Sequence, residues 1–237
     1  MHAARFLIAL ACVALWGGPS STTPPAAPPK VLLLTRQQFK PARVHARERL
    51  ERATAAIYNR LDVPVYWLEL AAFTGAPEAM FFDPFDSFEA VEKVGAALAQ
   101  LNDAHPELVR MQAGINDALS SQRAILAVRR DSPGVDGINL AQARFMRMLV
   151  VRASPGEEQP SVAGAAPSII YEVTSGMPGP AFLIFQPMTA FTDIPAAAVT
   201  HGTVVEDAVY VVEPDMSHVS REFAGQDREF WTRPRSQ

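Results

Sequence analysis

One motif occurs twice in this chain, and its copies lie about a hundred residues apart. The first copy, GAPEAMFFDPFDSF, spans residues 75–88, and the second, GMPGPAFLIFQPMTAF, spans residues 176–191. Both begin with Gly-x-Pro, continue with apolar residues and end with Phe-x-Pro-x-x-x-Phe. The shared positions are Gly75, Pro77, Phe82, Pro84 and Phe88 in the first copy, and Gly176, Pro178, Phe185, Pro187 and Phe191 in the second. A chance match is the alternative, but the predicted elements around both copies also follow one order, which indicates a duplicated folding unit.

Each shared position of the motif has a mechanical role. Gly and Pro favour the reversal between two strands, and a proline at the end of a strand stops its hydrogen-bond ladder. Asp86, Ser87 or Thr189 can cap the helix that follows, and the last Phe is interpreted as the anchor of that helix on the sheet. The motif therefore predicts architecture and not chemistry.

The segments around the first copy alternate between strand and helix patterns. Strands are predicted over 30–39, 63–75, 78–82 and 122–130, and helices over 42–61, from Asp86 onward and over 105–121. The first helix is expected to pack through Val44, Leu50, Ala53, Ile57 and Leu61, with its Arg and Glu residues in solvent. This order of elements is typical of a ferredoxin-like unit, here predicted over 30–131.

A linker over 132–142 leads to a second, eroded unit over 143–214. The segment that corresponds to the first helix contains Pro155, Gly156, Pro160 and Gly164, which prevent a stable helix. We therefore expect an α+β fold in which two tandem ferredoxin-like units bring their sheets face to face. The second unit is expected to lack its first helix and to leave one face of its sheet poorly covered.

Two stretches resemble a known group of proteins. GAPEAMFFDPFDSFEAVEK is similar to the hairpin-to-helix region of the dimeric α/β-barrel superfamily, which includes antibiotic-biosynthesis monooxygenase-like and NIPSNAP-like domains. The closing VVEPDMSHVSREFAGQDREFW resembles the tail of exported bacterial proteins of uncharacterised activity that contain two such units. The resemblance covers roughly residues 30 to 231 and implies a tandem barrel. Members of that superfamily are cofactor-free oxygenases, haem-modifying enzymes, small-ligand binders or stress proteins, so the resemblance implies one of these activities. It also implies a cavity between the sheet and the helices of one unit, which we expect to be the first.

Four residues of the first unit are candidates for that cavity. His45 lies near the start of the first helix, where it can bind haem or transfer protons, but the neighbouring arginines favour the alternative of a solvated histidine. On the second strand, alternation places Trp67 and Glu69 on one face and Tyr66 on the other. A carboxylate beside an indole in a barrel can be a general base with a raised pKa. The alternatives are that this face meets solvent or that Glu69 pairs with an arginine.

Several classes of function lack their motifs. There is no nucleotide-binding glycine motif, no Gly-x-Ser-x-Gly, and no pair of histidines at metal-ligand spacing. The net charge of −4 is not concentrated in a block, so no nucleic-acid interface is expected. No cofactor or metal site is predicted, although haem stays open through His45.

The N-terminus reads as an export signal. A positive start, an apolar run from Phe6 to Trp16 and a Pro-rich spacer predict a signal peptide and spacer over 1–29. An ordinary N-terminal helix is the alternative. Cys12, the only cysteine, lies inside this leader in a weak resemblance to a lipoprotein box. We therefore expect a periplasmic or extracellular protein, with lipid anchoring at Cys12 less favoured.

The leading functional hypothesis is an exported protein that binds a small apolar ligand. The alternatives are a cofactor-independent monooxygenase-like oxidoreductase that uses the first unit's cavity, and a structural or stress-linked interaction protein. Whether the chain is an enzyme stays open, as does homo-oligomer formation. In the tail over 215–237, Phe223, Phe230 and Trp231 are expected to pack on their own chain rather than on a second one.

Overall fold

The first unit has the predicted order of elements. In the computed structural model, which describes residues 27–163, 167–196 and 198–232, its strands and helices are β1 (Val31–Phe39), α1 (Val44–Leu61), β2 (Leu68–Ala72), β3 (Glu78–Phe85), α2 (Phe88–Ala104), α3 (Pro106–Ala118) and β4 (Leu119–Arg130). The strands pair antiparallel in the order β4–β1–β3–β2. Strand β2 begins later than predicted because Trp67 instead forms an isolated bridge with His218 of the tail.

The second unit repeats the same strand order without the helices. Its elements are β5 (Phe145–Arg152), β6 (Ser161–Ala163), β7 (Ile169–Ser175), β8 (Ala181–Met188), β9 (Ala198–Thr200) and β10 (Thr203–Val212). Strands β10, β5, β8 and β7 pair antiparallel in that order. Within the described part of this unit there is no α-helix. Pro155 and Pro160 predict the absence of the first helix, and the segment after the second motif forms only a 3₁₀ turn at Phe191–Asp193.

The two sheets join edge to edge into one closed barrel. Strand β2 pairs with β10, and β4 pairs with β7, so the strand order around the barrel is β1–β3–β2–β10–β5–β8–β7–β4. The predicted α+β fold, two tandem ferredoxin-like units forming a barrel within one chain, is confirmed. Among the described residues, no helix is both long and apolar enough to cross a membrane.

The repeated motif places matching residues at the centre of the barrel. Phe82 and Phe185 are fully buried and meet edge to face with ring centroids 5.4 Å apart. Gly75 and Gly176 both have positive φ in the turns, and a Cβ on Gly176 would lie 2.1 Å from the Ala124 carbonyl oxygen. Only glycine fits there.

The interpretation of the last phenylalanine as a helix anchor is wrong. Phe88 begins α2 but is 51% exposed, and Phe191 is 38% exposed. Phe191 instead packs on Phe73 and Phe145 at the surface, with centroid distances of 4.6 and 5.7 Å. Helix α2 is held at its start by the Ser87 side chain, which accepts a hydrogen bond from the Ala90 N–H.

The expectation of a poorly covered face in the second unit is also wrong. A separate two-stranded ribbon of β6 and β9 packs there. It covers an apolar set on the outer face, which comprises Leu149, Val151, Ile170, Phe182 and Ile184. A segment too rich in Pro and Gly for a helix can still pair as a strand, and the ribbon replaces the missing helix.

The tail packs on its own chain through two short helices, α4 (Arg221–Gly225) and α5 (Arg228–Thr232). Phe223 is buried in the barrel core. The Trp231 indole donates to the Ala141 carbonyl at 2.9 Å, and Arg144 lies 3.8 Å from the Phe230 ring centroid. The predicted leader, including Cys12, falls almost wholly within residues 1–26, outside the described residues.

Candidate functional site

A cavity of about 340 Å³ lies between the outer face of the first unit's sheet and its helices. Side chains alternate along a strand, so residues on one face of β1 and β3 fill the barrel and the others face this cavity. Its floor is formed by Leu33, Thr35, Gln37, Val65, Trp67, Phe81, Asp83, Phe85 and Gln122, and its helical walls by Glu51, Thr54, Tyr58, Val94, Leu98 and Gln112. Gln112 and Gln122 are exposed and lie at its mouth.

Helix α2 forms the roof of this cavity. It is amphipathic, yet none of its residues is buried, whereas α3 buries Leu108, Ile115 and Ala118. Val94 and Leu98 of α2 face the cavity and are only half-buried. The apolar face of α2 therefore packs only in part, through Leu98 and Leu101 on the cluster that contains Tyr58 and Trp67, and it covers open space elsewhere.

Asp83 is the charged residue in the middle of the floor. It lies opposite Leu33 of β1 and between Phe81 and Phe85, which point to the same side of β3. Its carboxyl has no hydrogen bond or ion pair within the described part of the chain. Desolvation raises the pKa of Asp83 from 3.8 to about 8, because the half-buried carboxyl lies among the apolar side chains of the floor and the helices.

A buried ion triad lies beside the cavity and reaches its lining through Glu51. Arg47 of α1 lies 2.6 Å from Glu69 of β2 and 3.4 Å from Glu51, and Glu69 is 0% exposed. The guanidinium also lies 4.6 Å from the Phe39 ring centroid. Burial raises the pKa of Glu51 and of Glu69, and the Arg47 charge opposes that rise.

This triad corrects the predicted face of α1. The helix buries Arg47, Glu51, Ala55 and Tyr58, and the residues predicted to face the core are only partly covered. Charged residues occupy the inner face because Glu69 of the sheet lies opposite them. Glu69 is thus paired with an arginine, the alternative that the sequence left open.

The predicted candidates do not converge on the cavity. The His45 side chain is 90% exposed and lies 3.6 Å from Glu48. Tyr66 is half-buried against the His218 ring, with centroids 5.3 Å apart. Trp67 does line the cavity, and its indole donates to the Met216 carbonyl at 2.7 Å.

His218 ties the tail to the first unit. Its ring nitrogens lie 2.7 Å from the Asn59 side-chain oxygen and 2.7 Å from the Val63 carbonyl, and Tyr58, Tyr66 and Trp67 surround it. Since a carbonyl only accepts, Nε2 donates to Val63, and in the neutral ring Nδ1 is the acceptor, which pairs with the Asn59 side chain when its amide NH2 is turned toward the ring. Burial lowers the pKa of His218.

The cavity does not fit a haem or metal site. No histidine lines it, and its tyrosine, Tyr58, packs edge-on against Trp67 at 5.0 Å. A haem needs an axial ligand such as His, Cys, Met or Tyr with a free donor atom directed at the iron. Across the described ranges, no group of three His, Cys, Asp or Glu side chains could hold a metal ion.

Sequence reasoning missed Asp83. Its signal is the stretch FFDPF, in which alternation places a carboxylate between two phenylalanines on one strand face. Such a residue is expected in solvent unless helices cover that face. The covering by α1 and α2 is a tertiary feature and is not visible in the motif.

These features define an α+β barrel of two ferredoxin-like units. Its described residues form a cavity that helices cover.

No family model matches the chain, and no curated protein matches it significantly. Among solved structures, a proposed monooxygenase from Lactobacillus acidophilus is 10% identical, with 80% of this chain and 95% of that chain covered at a TM-score of 0.46. An anthrone oxidase-like protein is 11% identical, and the match covers 77% of this chain and 91% of that protein at a TM-score of 0.44. A mutant chlorite dismutase from Candidatus Nitrospira defluvii in complex with cyanide is 7% identical. The match covers 79% of this chain and 92% of that protein at a TM-score of 0.47.

Proposed function

We propose that this protein binds a small, largely apolar molecule in the cavity beneath α2, and that Asp83 contacts the polar group of that molecule. The observation that carries the proposal is an unpaired carboxyl at the centre of a mostly apolar cavity floor. A half-buried carboxylate without a partner, in largely apolar surroundings, is unfavourable for folding. Strongly perturbed carboxyls in cavities are typical of functional sites.

The shape of the cavity supports the same proposal. Its volume of about 340 Å³ lies at the small end of the range for ligand pockets, which is about 300–1,000 Å³. The half-buried face of α2 would be covered by an apolar ligand. The ligand would gain burial, and α2 would gain packing beyond that of Leu98 and Leu101.

Native mass spectrometry of the purified protein tests this proposal together with a variant that fills the cavity. Val94→Trp places a large ring beneath α2 at a half-buried position, so the fold is expected to tolerate it. We expect the native protein to retain a small molecule, or to be stabilised by small apolar compounds in a thermal-shift screen, and Val94→Trp to lose both. Equal ligand retention and stabilisation in Val94→Trp, with an unchanged circular dichroism spectrum, would contradict the proposal, as would their absence from the native protein.

A second function, a monooxygenase-like oxidoreductase without a cofactor, is favoured by one observation. The pKa of Asp83, about 8, is near the value at which a carboxyl can both accept and donate a proton at neutral pH. Asp83 would take a proton from an O–H or acidic C–H of the substrate, and O2 would oxidise the resulting anion, with one oxygen atom entering the substrate as a carbonyl oxygen and the other leaving as water with the proton that Asp83 returns. Oxygen uptake with electron-rich phenols should rise with pH to a plateau above about pH 8 and be abolished in Asp83→Asn. Uptake that persists in this variant would exclude this role.

We also propose export to the periplasm or the cell exterior, supported by the leader sequence over 1–29. Sequencing the N-terminus of the mature protein tests it. A mature N-terminus within the Pro-rich spacer would agree with signal cleavage, and an N-terminus at Met1 would contradict it.

A further inference from the structure

We infer that the molecule held in this cavity is a small amine, whose ammonium group pairs with Asp83 and whose apolar body lies beneath α2. The inference rests on the proposed function, because it assigns the chemical class of ligand to the same cavity. It is carried by three properties of the wall: its charges, its hydrogen-bonding groups and its aromatic rings.

The two charged side chains that line the cavity are both acidic. Strand β3 contributes Asp83, and α1 contributes Glu51. The residues that α2, α3, β1 and β4 place in the wall are neutral. Arg47, which is not part of the lining, pairs with Glu51 and with the fully buried Glu69. An anionic ligand would therefore meet Asp83 with no free positive charge to offset the repulsion.

Two acceptors without a partner in the described part of the chain face the cavity from its floor, the Asp83 carboxyl and the Gln37 side-chain oxygen. Strand β1 is paired on both sides by β3 and β4, and β3 is paired by β1 along its length and by β2 over residues 79–82. Gln37 is 4% exposed, lines the cavity, and has a side-chain oxygen without a hydrogen-bond partner. The Thr54 hydroxyl already donates to the Leu50 carbonyl. A ligand that brings its own donors satisfies the Asp83 and Gln37 acceptors.

Aromatic rings complete the complementarity to a cation. The rings of Tyr58, Trp67, Phe81 and Phe85 line the cavity around Asp83. The faces of such rings attract cations, and the attraction is stronger in a desolvated site. A neutral alcohol could bond to Asp83 but would leave the carboxylate charge uncompensated, so an ammonium group fits better.

Isothermal titration calorimetry with three matched probes tests the inference. The probes are 2-phenylethylamine, 2-phenylethanol and 3-phenylpropionate, which share a phenyl ring and differ in charge. At about pH 8.5 we expect the native protein to bind the amine at least about tenfold more tightly than the alcohol, and the acid least. Below the pKa of Asp83, near 8, affinity for the amine should fall by up to about tenfold per pH unit, because Asp83 must lose its proton to pair with it.

Three variants test whether the preference for the amine depends on Asp83 and on the cavity beneath α2. Asp83→Asn should lose the preference for the amine and keep binding of the alcohol. Asp86→Asn, which removes an exposed aspartate three residues further on, should behave like the native protein. Val94→Trp should bind none of the probes.

The titrations distinguish a wrong ligand class from a wrong binding site. If the alcohol or the acid binds as tightly as the amine and Val94→Trp abolishes that binding, the ligand class is wrong and the cavity is still a binding site. If no probe binds, or if binding persists in Val94→Trp, both are overturned. A preference for the amine that survives in Asp83→Asn overturns the role of Asp83.

Discussion

At the scale of single residues, Asp83 is expected to weaken the fold that contains it. Its pKa is raised from 3.8 to about 8 in the folded protein. Between these values the folded chain holds a proton that the unfolded chain has released, so stability falls as pH rises through this window and levels off above about pH 8. Residues that reduce stability in this way are commonly retained for function.

The first prediction concerns the removal of this charge. Asp83→Asn should raise the free energy of unfolding relative to the native protein, and the gain should be larger at about pH 8.5 than at about pH 5. Urea denaturation at both pH values measures it, with Asp86→Asn as the control. A gain that does not change with pH would mean that Asp83 has a partner in the folded protein.

The second prediction concerns the buried triad. Arg47→Met leaves Glu51 and Glu69 without their counter-charge, and breaking a buried pair in this way destabilises a protein by about 3–5 kcal/mol. The triple variant with Glu51→Gln and Glu69→Gln should recover much of this loss, because no buried charge is then left alone. Urea denaturation of the three proteins distinguishes this from a simple packing defect, in which the triple variant would be no more stable than Arg47→Met.

Residue roles were the hardest to predict from the sequence. The alternation that places Trp67 and Glu69 on one face was correct, and both do point away from the barrel core. What lies against that face depends on α1, whose buried side carries Arg47 and Glu51. Helical periodicity predicts an apolar inner face, and a buried ion pair across two elements leaves no periodic signal in either of them.

At the scale of elements, α2 differs from its neighbours because it covers a cavity. The third prediction is that backbone amides of α2 exchange with solvent faster than those of α3, which has three buried residues. A bound ligand should slow exchange in α2 and leave the β6–β9 ribbon unchanged. Hydrogen exchange detected by mass spectrometry reports both, and equal protection of α2 and α3 in the free protein would contradict the role of α2 as a roof.

The fourth prediction concerns the attachment of the tail at His218. Its pKa is lowered by burial, so the unfolded chain takes up a proton near pH 6.5 while the folded chain stays neutral to lower pH. The stability that His218 contributes is therefore complete above about pH 6.5 and is lost on acidification below it. His218→Gln should be less stable than the native protein at about pH 7.5, and the difference should shrink at about pH 5. A constant difference would show that His218 does not titrate between the two states.

At the scale of the whole molecule, the repeat predicts the barrel because it marks equivalent points of two units. Turn glycines, strand alternation and a helix-breaking segment are local signals, and each of them was read correctly from the sequence. The β6–β9 ribbon could not be predicted in this way, because its strands are about 35 residues apart in the chain and too short to show alternation. The cavity could not be predicted from the sequence either, because it depends on how closely α2 packs on the sheet.

The central claim is that the cavity beneath α2 binds a small molecule through Asp83. A crystal structure of the protein grown at about pH 8.5 with 2-phenylethylamine tests it most directly. The account predicts density for the phenyl ring among Val94, Leu98 and Phe85, with the nitrogen within hydrogen-bond distance of the Asp83 carboxylate. An empty cavity at a saturating concentration of the amine, or an amine bound elsewhere on the barrel, would contradict it.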